Sequence, residues 1–237
     1  MDGCRLSKND SSVLSALFNP ESSLSSTVHI EDSLPRGSCP ATILRLQEQE
    51  RQALHLINGE SPETSHVNLA ISQLTDIIGQ DPSYASAYNN RAQARRMLIR
   101  DEDLPRNPEI VADILQDIAK AISLATPEQL SSAISSLDAR VLASAHTHRG
   151  YLLLLASRSE DNRRMLDDVP VLKDLSGDDL EGAASRELGL GGRYGNETAR
   201  QLAVKTNPYA KLCGSIVREA LTKQIADYYQ PSITIAR

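Results

Sequence analysis

The sequence predicts an all-α protein, and three observations lead to this prediction. Aromatic residues are only 3% of the 237 residues, with no Trp and one Phe, so the core must be built from Leu, Ile, Val and Ala. Such a core suits packed helices better than a β-sandwich. Apolar residues recur at helical spacing in segment after segment, without a convincing strand. The helical segments also recur in pairs, which indicates an internal repeat.

Three regions are expected along the chain. Residues 1–40 are predicted to be a flexible N-terminal arm, because the part from 19 to 40 is rich in Ser and Pro and has little periodicity. A short helix is expected near 11–18, where VLSALF supplies one or two apolar turns. Residues 41–190 are expected to form helix pairs with loop insertions, and residues 191–237 to form C-terminal capping helices.

The helices are predicted from their apolar periodicity. In the second of them apolar residues recur at i, i+3, i+4 and i+7, which is the pattern of an amphipathic helix. In chain order the predicted helices cover about 41–58, 67–79, 84–99, 110–125, 137–157, 178–188, 196–204 and 208–229.

The stretches between these helices differ in composition. Residues 100–109 and 159–178 are charged and are expected to be exposed or irregular loops. The glycine-rich LGLGGRYG at 188–195 is interpreted as a linker. A phosphate-binding loop would follow a strand and carry a Lys-Ser/Thr pair, whereas here a predicted helix comes before the glycines.

Residues 67–94 carry the sizes and spacing that antiparallel helices need where they cross. Small residues let the helices approach closely, a large apolar residue fills the space beside them, and a proline ends the second helix. The matching positions are Ala70, Leu74, Ile77 and Asp81-Pro82, then Ala87-Tyr88, Ala92 and Ala94, then Ile114, Ile118 and Ala121. A third, less regular pair begins with Ala145, His146, Arg149 and Gly150. This is the tetratricopeptide pattern of about 34 residues.

Five segments give the chain a more specific resemblance. They are VLSALFNPE at 13–21, SAYNNRAQARR at 86–96, ILQDIAKAISLA at 114–125, HRGYLLLL at 148–155 and NPYAKLC at 207–213. With these the chain resembles the tetratricopeptide repeat protein 36 family. The resemblance implies three repeats in a short right-handed superhelix with a C-terminal capping helix. It also implies protein–protein contact as a chaperone-linked adaptor, a tie to tyrosine breakdown and no catalytic activity.

Charge and cysteine content limit the classes of function. The net charge of −6, from 25 Lys and Arg against 31 Asp and Glu, gives no basic field for nucleic acid. The first residues are polar and no apolar run is long enough to span a bilayer, so neither a signal peptide nor a membrane segment is expected. Three widely spaced cysteines favour a reducing compartment, so we expect a cytoplasmic or also nuclear protein.

The concave face of the predicted repeats is the candidate site, and its occupant is expected to be a protein segment. The mixture of apolar, polar and basic residues predicted on this face suits a peptide with apolar anchors and some acidic character. The candidate groove residues are Ser86, Asn89, Asn90, Gln93, Arg96 and Met97 in the second repeat, with Thr147, Tyr151 and Leu154 in the third.

A chaperone tail bound by its carboxylates would need five specific clamp residues, and only Asn90 matches. Glu50, at another clamp position, would repel a carboxylate. A chaperone contact would therefore need a different mode. Asn90 is itself interpreted first as a helix-packing residue.

Other polar residues favour structural roles. Arg91, Arg95 and Arg96 are interpreted as arginines paired with acids rather than as a basic patch. His146 and His148, two positions apart on a helix, point to different sides, so no shared metal is expected, and His146 is interpreted as a packing residue. Cys213 is interpreted as a buried thiol on the last helix.

No residue set predicts a catalytic, cofactor or metal site. The expected function is therefore a non-enzymatic adaptor. An enzyme of unrecognised type and a self-association module stay open as alternatives.

Overall fold

The computed structural model describes residues 28–35, 39–128 and 132–229, the side chains of 208–213 and 227–229 excepted. Helices dominate this part of the chain, which confirms the all-α prediction. The helices are α1 (Pro40–His55), α2 (Thr64–Gln80), α3 (Ala85–Met97), α4 (Pro108–Ala125), α5 (Ser136–Ser157), α6 (Glu160–Arg163), α7 (Gly177–Arg193), α8 (Glu197–Thr206) and α9 (Pro208–Tyr229).

Local sequence signals explain where several helices begin. Proline occupies the first position of α1 and of α4, where its missing N–H is not needed. The hydroxyl of Ser135 accepts a hydrogen bond from the backbone N–H of Asp138 at the start of α5. Ser176 and Asn196 cap α7 and α8 in the same way. Local sequence signals therefore mark the starts of α1, α5, α7 and α8, four of the helices around the candidate site.

Successive helices pack as pairs. α1 packs on α2, α3 on α4 and α5 on α7, and α8 also packs on α7. The small residues predicted at the crossings are fully buried: Ala70, Ala87, Ala92 and Ala94. One apolar cluster lies between the first pair and α3, and a larger one extends from α3 through α7. This is the tetratricopeptide-like arrangement that the residue spacing predicted.

The turn between α2 and α3 is held by its own side chains. The Asp81 carboxylate accepts hydrogen bonds from the N–H and the hydroxyl of Ser83, at 2.9 and 2.6 Å. The Tyr88 hydroxyl donates to the Pro82 carbonyl at 3.3 Å, so the tyrosine is anchored beneath the turn. The stretch DPSYASAY thus sets how the second pair follows the first.

The two charged stretches are only partly loops, so that prediction was wrong for the segments that form short helices. Asp101–Arg106 forms a 3-10 helix in which Leu104 is fully buried. Glu160–Arg163 is α6, and the 3-10 helix Arg164–Leu166 after it buries Met165 and Leu166. The two 3-10 helices contact each other. A single apolar residue among charges has no periodicity, so the sequence pattern did not reveal these contacts.

The glycine stretch 188–195 is also not a linker. It forms the last part of α7, which is the second helix of the third pair, and only Gly195 has a positive φ, of 107°. A Cβ built on Gly191 would lie 2.6 Å from the Thr147 hydroxyl, and one on Gly192 would lie 2.7 Å from the Arg200 Cβ. These glycines therefore allow α5 and α8 to approach α7 closely. The predicted boundary between 190 and 191 falls inside this helix.

Part of the predicted arm lies against the helices. Ile30–Glu31 (β1) pairs in parallel with Ile134–Ser135 (β2), a two-residue bridge that periodicity could not indicate. Val28 packs on the larger apolar cluster. The helix predicted near 11–18 lies outside the described residues.

The C-terminal region divides into two parts. α8 packs against α7. The described side chains of α9, residues 214–226, are all exposed, including Ile216, Val217, Leu221 and Ile225. The side chain of Cys213 lies outside the described part. None of the described helices is both long enough and apolar enough to cross a membrane.

Candidate protein-binding groove

Two adjoining hollows form one groove along the face made by α1, α3 and α5. The polar hollow, of about 320 Å³, lies between these three helices, and the apolar hollow, of about 760 Å³, lies between α3, α5, α7 and α8. Gln93, Arg140 and Ser144 line both hollows. The Gln93 side-chain amide donates to the Ser144 hydroxyl at 2.9 Å, so it links α3 to α5 where the hollows meet.

The polar hollow contains a buried carboxylate that is already bound. One oxygen of Glu50 accepts from the Asn90 amide at 2.8 Å, and the other accepts from the Tyr84 hydroxyl at 2.9 Å. Burial raises the pKa of Glu50, and these hydrogen bonds partly oppose that change. Asn90 therefore ties α3 to α1 within the protein, as expected of a packing asparagine. Its amide already donates to Glu50 and is therefore not free to bind a chaperone carboxylate.

Asn89 and Ser86 complete the polar hollow. The Asn89 amide donates to the side-chain oxygen of Asn90 at 3.3 Å, and the Asn90 amide is 3.4 Å from the Ser86 hydroxyl. The Asn89 side-chain oxygen is buried and accepts no hydrogen bond from the described residues. This hollow is thus largely a packing network between α1 and α3.

The apolar hollow has a lining of a different kind. Large apolar side chains come from four helices, and two of them are substantially exposed: Met97 at 46% and Tyr151 at 36%. The apolar side chains that line the hollow are Met97, Ala143, Tyr151, Leu188, Tyr194 and Leu202. Thr147 lies on the α5 side, where its hydroxyl donates to the Ala143 carbonyl of its own helix. The hollow therefore offers apolar surface with few free hydrogen-bonding groups.

Two arginines line the apolar hollow, and none of its lining residues is acidic. Arg96 donates to the Ile99 carbonyl and to Asp101, and Asp101 also accepts from the Tyr151 hydroxyl. Burial lowers the pKa of Arg96. Arg140, in contrast, is exposed and has no hydrogen bond or ion pair with any residue that the structure describes. Arg140 is therefore the cation available to a bound group.

The comparisons with known proteins place the chain in a family. The L-tyrosine degradation gene cluster protein hmgX of Aspergillus fumigatus is 41% identical over 93% of this chain and 93% of its own length. A tetratricopeptide repeat protein 36 homolog of Drosophila pseudoobscura is 30% identical, over 91% of this chain and 94% of its own length.

The chain belongs to the tetratricopeptide repeat protein 36 family. Tetratricopeptide repeat protein 36 of the mouse is 28% identical, over 90% of this chain and 92% of its own length. No protein-family model matches the chain, and no solved structure matches it.

In the present chain, eight of the nine predicted groove residues line the groove. Five of them, Gln93, Arg96, Met97, Thr147 and Tyr151, line the apolar hollow. Ser86, Asn89 and Asn90 line the polar hollow, as Gln93 does too.

Leu154 lines neither hollow and packs on the larger apolar cluster instead. The segment after α5 returns across its last turns, where the Asn162 amide donates to the Leu155 carbonyl at 3.0 Å. This return covers the end of the helix, which a repeat pattern alone does not indicate.

The sequence analysis did not predict several residues that line the groove. Leu188 and Tyr194 were assigned to a linker, and Leu202 to a cap that was not expected to face the groove. Arg140 had a usable signal, because it precedes Ser144 by four positions and Thr147 by seven, so all three share one face of α5.

The remaining polar candidates have structural roles in the present chain. Arg91 and Arg95 both bind the buried Asp117 carboxylate, at 2.6 and 2.7 Å, as the ion-pair interpretation expected. His146 is buried, lies 2.8 Å from Glu187 through its Nδ1 and stacks on Tyr194. Among the described residues, no group of three or more His, Cys, Asp or Glu side chains could hold a metal ion.

His148 is a partly buried base at the edge of the apolar hollow. Both of its ring nitrogens are buried and have no hydrogen-bond partner among the described residues. Burial lowers the pKa of His148 to about 4, and the charge of Arg96 adds to the effect. The ring is therefore neutral at neutral pH, and protonating it is unfavourable.

Because His148 is buried and neutral, we expect the stability of the protein to depend on pH. Between pH 6.5 and 4 the unfolded chain binds a proton at His148 that the folded chain does not, so stability falls as the pH falls through this window. From pH 7 to pH 4.5 the loss attributable to His148 is about 2 kcal/mol. Urea unfolding of the wild type and of His148→Gln at both pH values measures it. Equal losses in the two proteins would contradict the assignment, since their other titrating groups are the same.

Proposed function

We propose that this protein is a non-enzymatic adaptor that holds a segment of a partner protein in the groove. The observation that carries the proposal is the apolar hollow, an open depression in which Met97 and Tyr151 are substantially exposed. Arg140, at its edge, has no hydrogen bond or ion pair with any described residue. Exposed apolar surface of this kind is costly in water and is typical of sites that bind another chain.

The state of the titratable groups supports a binding role over catalysis. A catalytic site needs an acid, a base or a nucleophile that is free to act and that converges with others on one point. Glu50 is bound by Tyr84 and Asn90. Glu187 is bound by His146 and Arg149, and His148 has its nitrogens turned away from solvent. Each of these groups is therefore bound or buried rather than free to act on a substrate.

The biological setting comes from the relatives. The similar protein of Aspergillus fumigatus carries the name of an L-tyrosine degradation gene cluster, so we place the adaptor in tyrosine metabolism. A chaperone link rests on the family resemblance, and the engaged state of Asn90 argues against a carboxylate clamp as its mode. We place the protein in the cytoplasm, and also in the nucleus, because its few cysteines suit a reducing compartment.

A matched pair of variants tests the adaptor proposal. Met97→Glu puts a charge into the apolar hollow, whereas Leu69→Glu changes a side chain of nearly equal exposure, 47% against 46%, on α2 outside the groove. Affinity capture from cells of the source organism should recover a partner with the wild type and with Leu69→Glu. Recovery with Met97→Glu should fall about tenfold, which corresponds to about 1.4 kcal/mol.

Two results of this capture would contradict the proposal. One is a partner that Met97→Glu retains as well as the wild type does. The other is the absence of any protein enriched by the wild type over Met97→Glu. Far-UV circular dichroism of both variants checks that each is folded.

A second candidate function is self-association, and α9 favours it. Four large apolar residues of this helix, Ile216, Val217, Leu221 and Ile225, are each more than half exposed. A second copy of the helix could cover them. Light scattering measures the mass in solution, and a monomer at high concentration would exclude this candidate.

A further inference from the structure

The charge that lines the apolar hollow differs in sign from the charge of the whole protein. The chain carries a net charge of −6, yet the side chains that line the apolar hollow include two arginines and no carboxylate. Arg96 is already paired with Asp101, and His148 is neutral at neutral pH. Within the apolar hollow, the uncompensated charge therefore comes from Arg140.

The position of Arg140 sets where a bound carboxylate would lie. Arg140 is at the junction of the two hollows. Burial raises the pKa of the nearby Glu50, and the charge of Arg140 is among the interactions that oppose this rise. Glu50 itself is buried and is bound by Tyr84 and Asn90 through hydrogen bonds. The guanidinium of Arg140 can therefore bind a carboxylate from outside, in the bidentate geometry that arginine favours.

The apolar hollow extends from that arginine along α5. Arg140, Ser144, Thr147 and Tyr151 follow one another along the same face of α5. From Arg140 to Tyr151 a helix rises about 16 Å. An extended peptide rises about 3.3 Å per residue and covers this distance with about five residues. Leu188, Tyr194 and Leu202 form the opposite wall over this length.

We propose that the groove binds a partner segment in which an Asp or Glu side chain is followed or preceded, within about five residues, by large apolar side chains. The carboxylate pairs with Arg140, and the apolar side chains enter the apolar hollow. This inference rests on the proposed adaptor function and adds the chemistry of the segment. A basic segment would place its charge against Arg140, and a purely apolar one would leave that arginine without a partner.

Selection of peptides from a displayed random library on the full-length protein tests this chemistry. The enriched peptides should contain Asp or Glu within about five residues of Leu, Ile, Met or an aromatic residue. A synthetic, fluorescently labelled copy of one enriched peptide is then titrated by anisotropy. Its affinity should fall about tenfold for Arg140→Glu and by a smaller factor for Arg140→Gln.

A control variant and a charge swap make the test specific. Arg186 is an exposed arginine of α7 that does not line the groove, so Arg186→Glu makes the same change in net charge and should bind the peptide as the wild type does. Replacing the peptide's acidic residue with Lys should weaken binding to the wild type and restore binding to Arg140→Glu.

Several outcomes would overturn the inference. They are enrichment of basic or uncharged peptides, no enrichment at all, and equal affinity for the wild type and Arg140→Glu. Each of them leaves the adaptor proposal standing if Met97→Glu still loses the captured partner. If Met97→Glu retains that partner, the adaptor proposal itself fails, whatever the peptides show.

Discussion

Asp117→Asn is expected to lower the free energy of unfolding by about 3 kcal/mol, because it leaves two arginines without their common partner. The Asp117 side chain on α4 is 5% exposed and accepts from Arg91 and Arg95 of α3. Arg91 also donates to the Thr75 hydroxyl of α2, so one carboxylate holds three helices through these contacts. Asparagine keeps the shape but removes the negative charge that balances both guanidinium groups.

A neighbouring carboxylate supplies the control for this prediction. Asp113 lies one turn earlier on α4, is 57% exposed and is 3.4 Å from Arg95. Asp113→Asn should change stability by less than about 0.5 kcal/mol, since exposed ion pairs contribute little. The urea midpoints of the two variants, compared at pH 7, measure the difference. Similar midpoints would show that burial of Asp117 does not determine the effect.

Gly192→Ala is expected to destabilise the protein by about 2 kcal/mol, because a methyl group there overlaps the next helix. The new Cβ would lie 2.7 Å from the Arg200 Cβ and 2.8 Å from the Arg200 Cα. These atoms belong to the backbone region of α8 and cannot rotate away, so α8 would have to move. Because Leu202 of α8 lines the apolar hollow, partner capture should weaken as well.

Another glycine of the same helix should respond with the opposite sign. A Cβ on Gly189 would meet no atom within 4 Å. Gly189→Ala should therefore stabilise the protein by about 0.5–1 kcal/mol, since alanine favours the helical backbone. Thermal unfolding followed by circular dichroism compares the two variants. A gain in Tm for both would mean that α7 and α8 are not in close contact at Gly192.

The sequence predicted the groove more completely on one wall than on the other. Gln93, Arg96, Thr147 and Tyr151 could be placed because each lies on a helix whose own periodicity defines its concave face. Leu188 on the opposite wall could not be placed, because its stretch is rich in glycine and has the composition of a loop.

The inserted segments limited the prediction for a similar reason. Leu104 lies singly, and Met165 and Leu166 lie as an adjacent pair, among charged residues. Each is buried by contacts with segments distant in sequence. Leu154, in turn, packs on the larger apolar cluster and does not line the groove. Periodicity describes one helix at a time and contains no information about such returns.

The sequence by itself determined the all-α fold, the helix pairs and the groove-facing side of α3 and α5, because these depend on the spacing of residues within a helix. Only the tertiary structure decided the opposite wall of the groove, the free state of Arg140 and the engaged state of Asn90. A glycine has no side chain whether it serves a loop or a helix crossing. What decides between the two is the atom that lies opposite, which at Gly192 is Arg200.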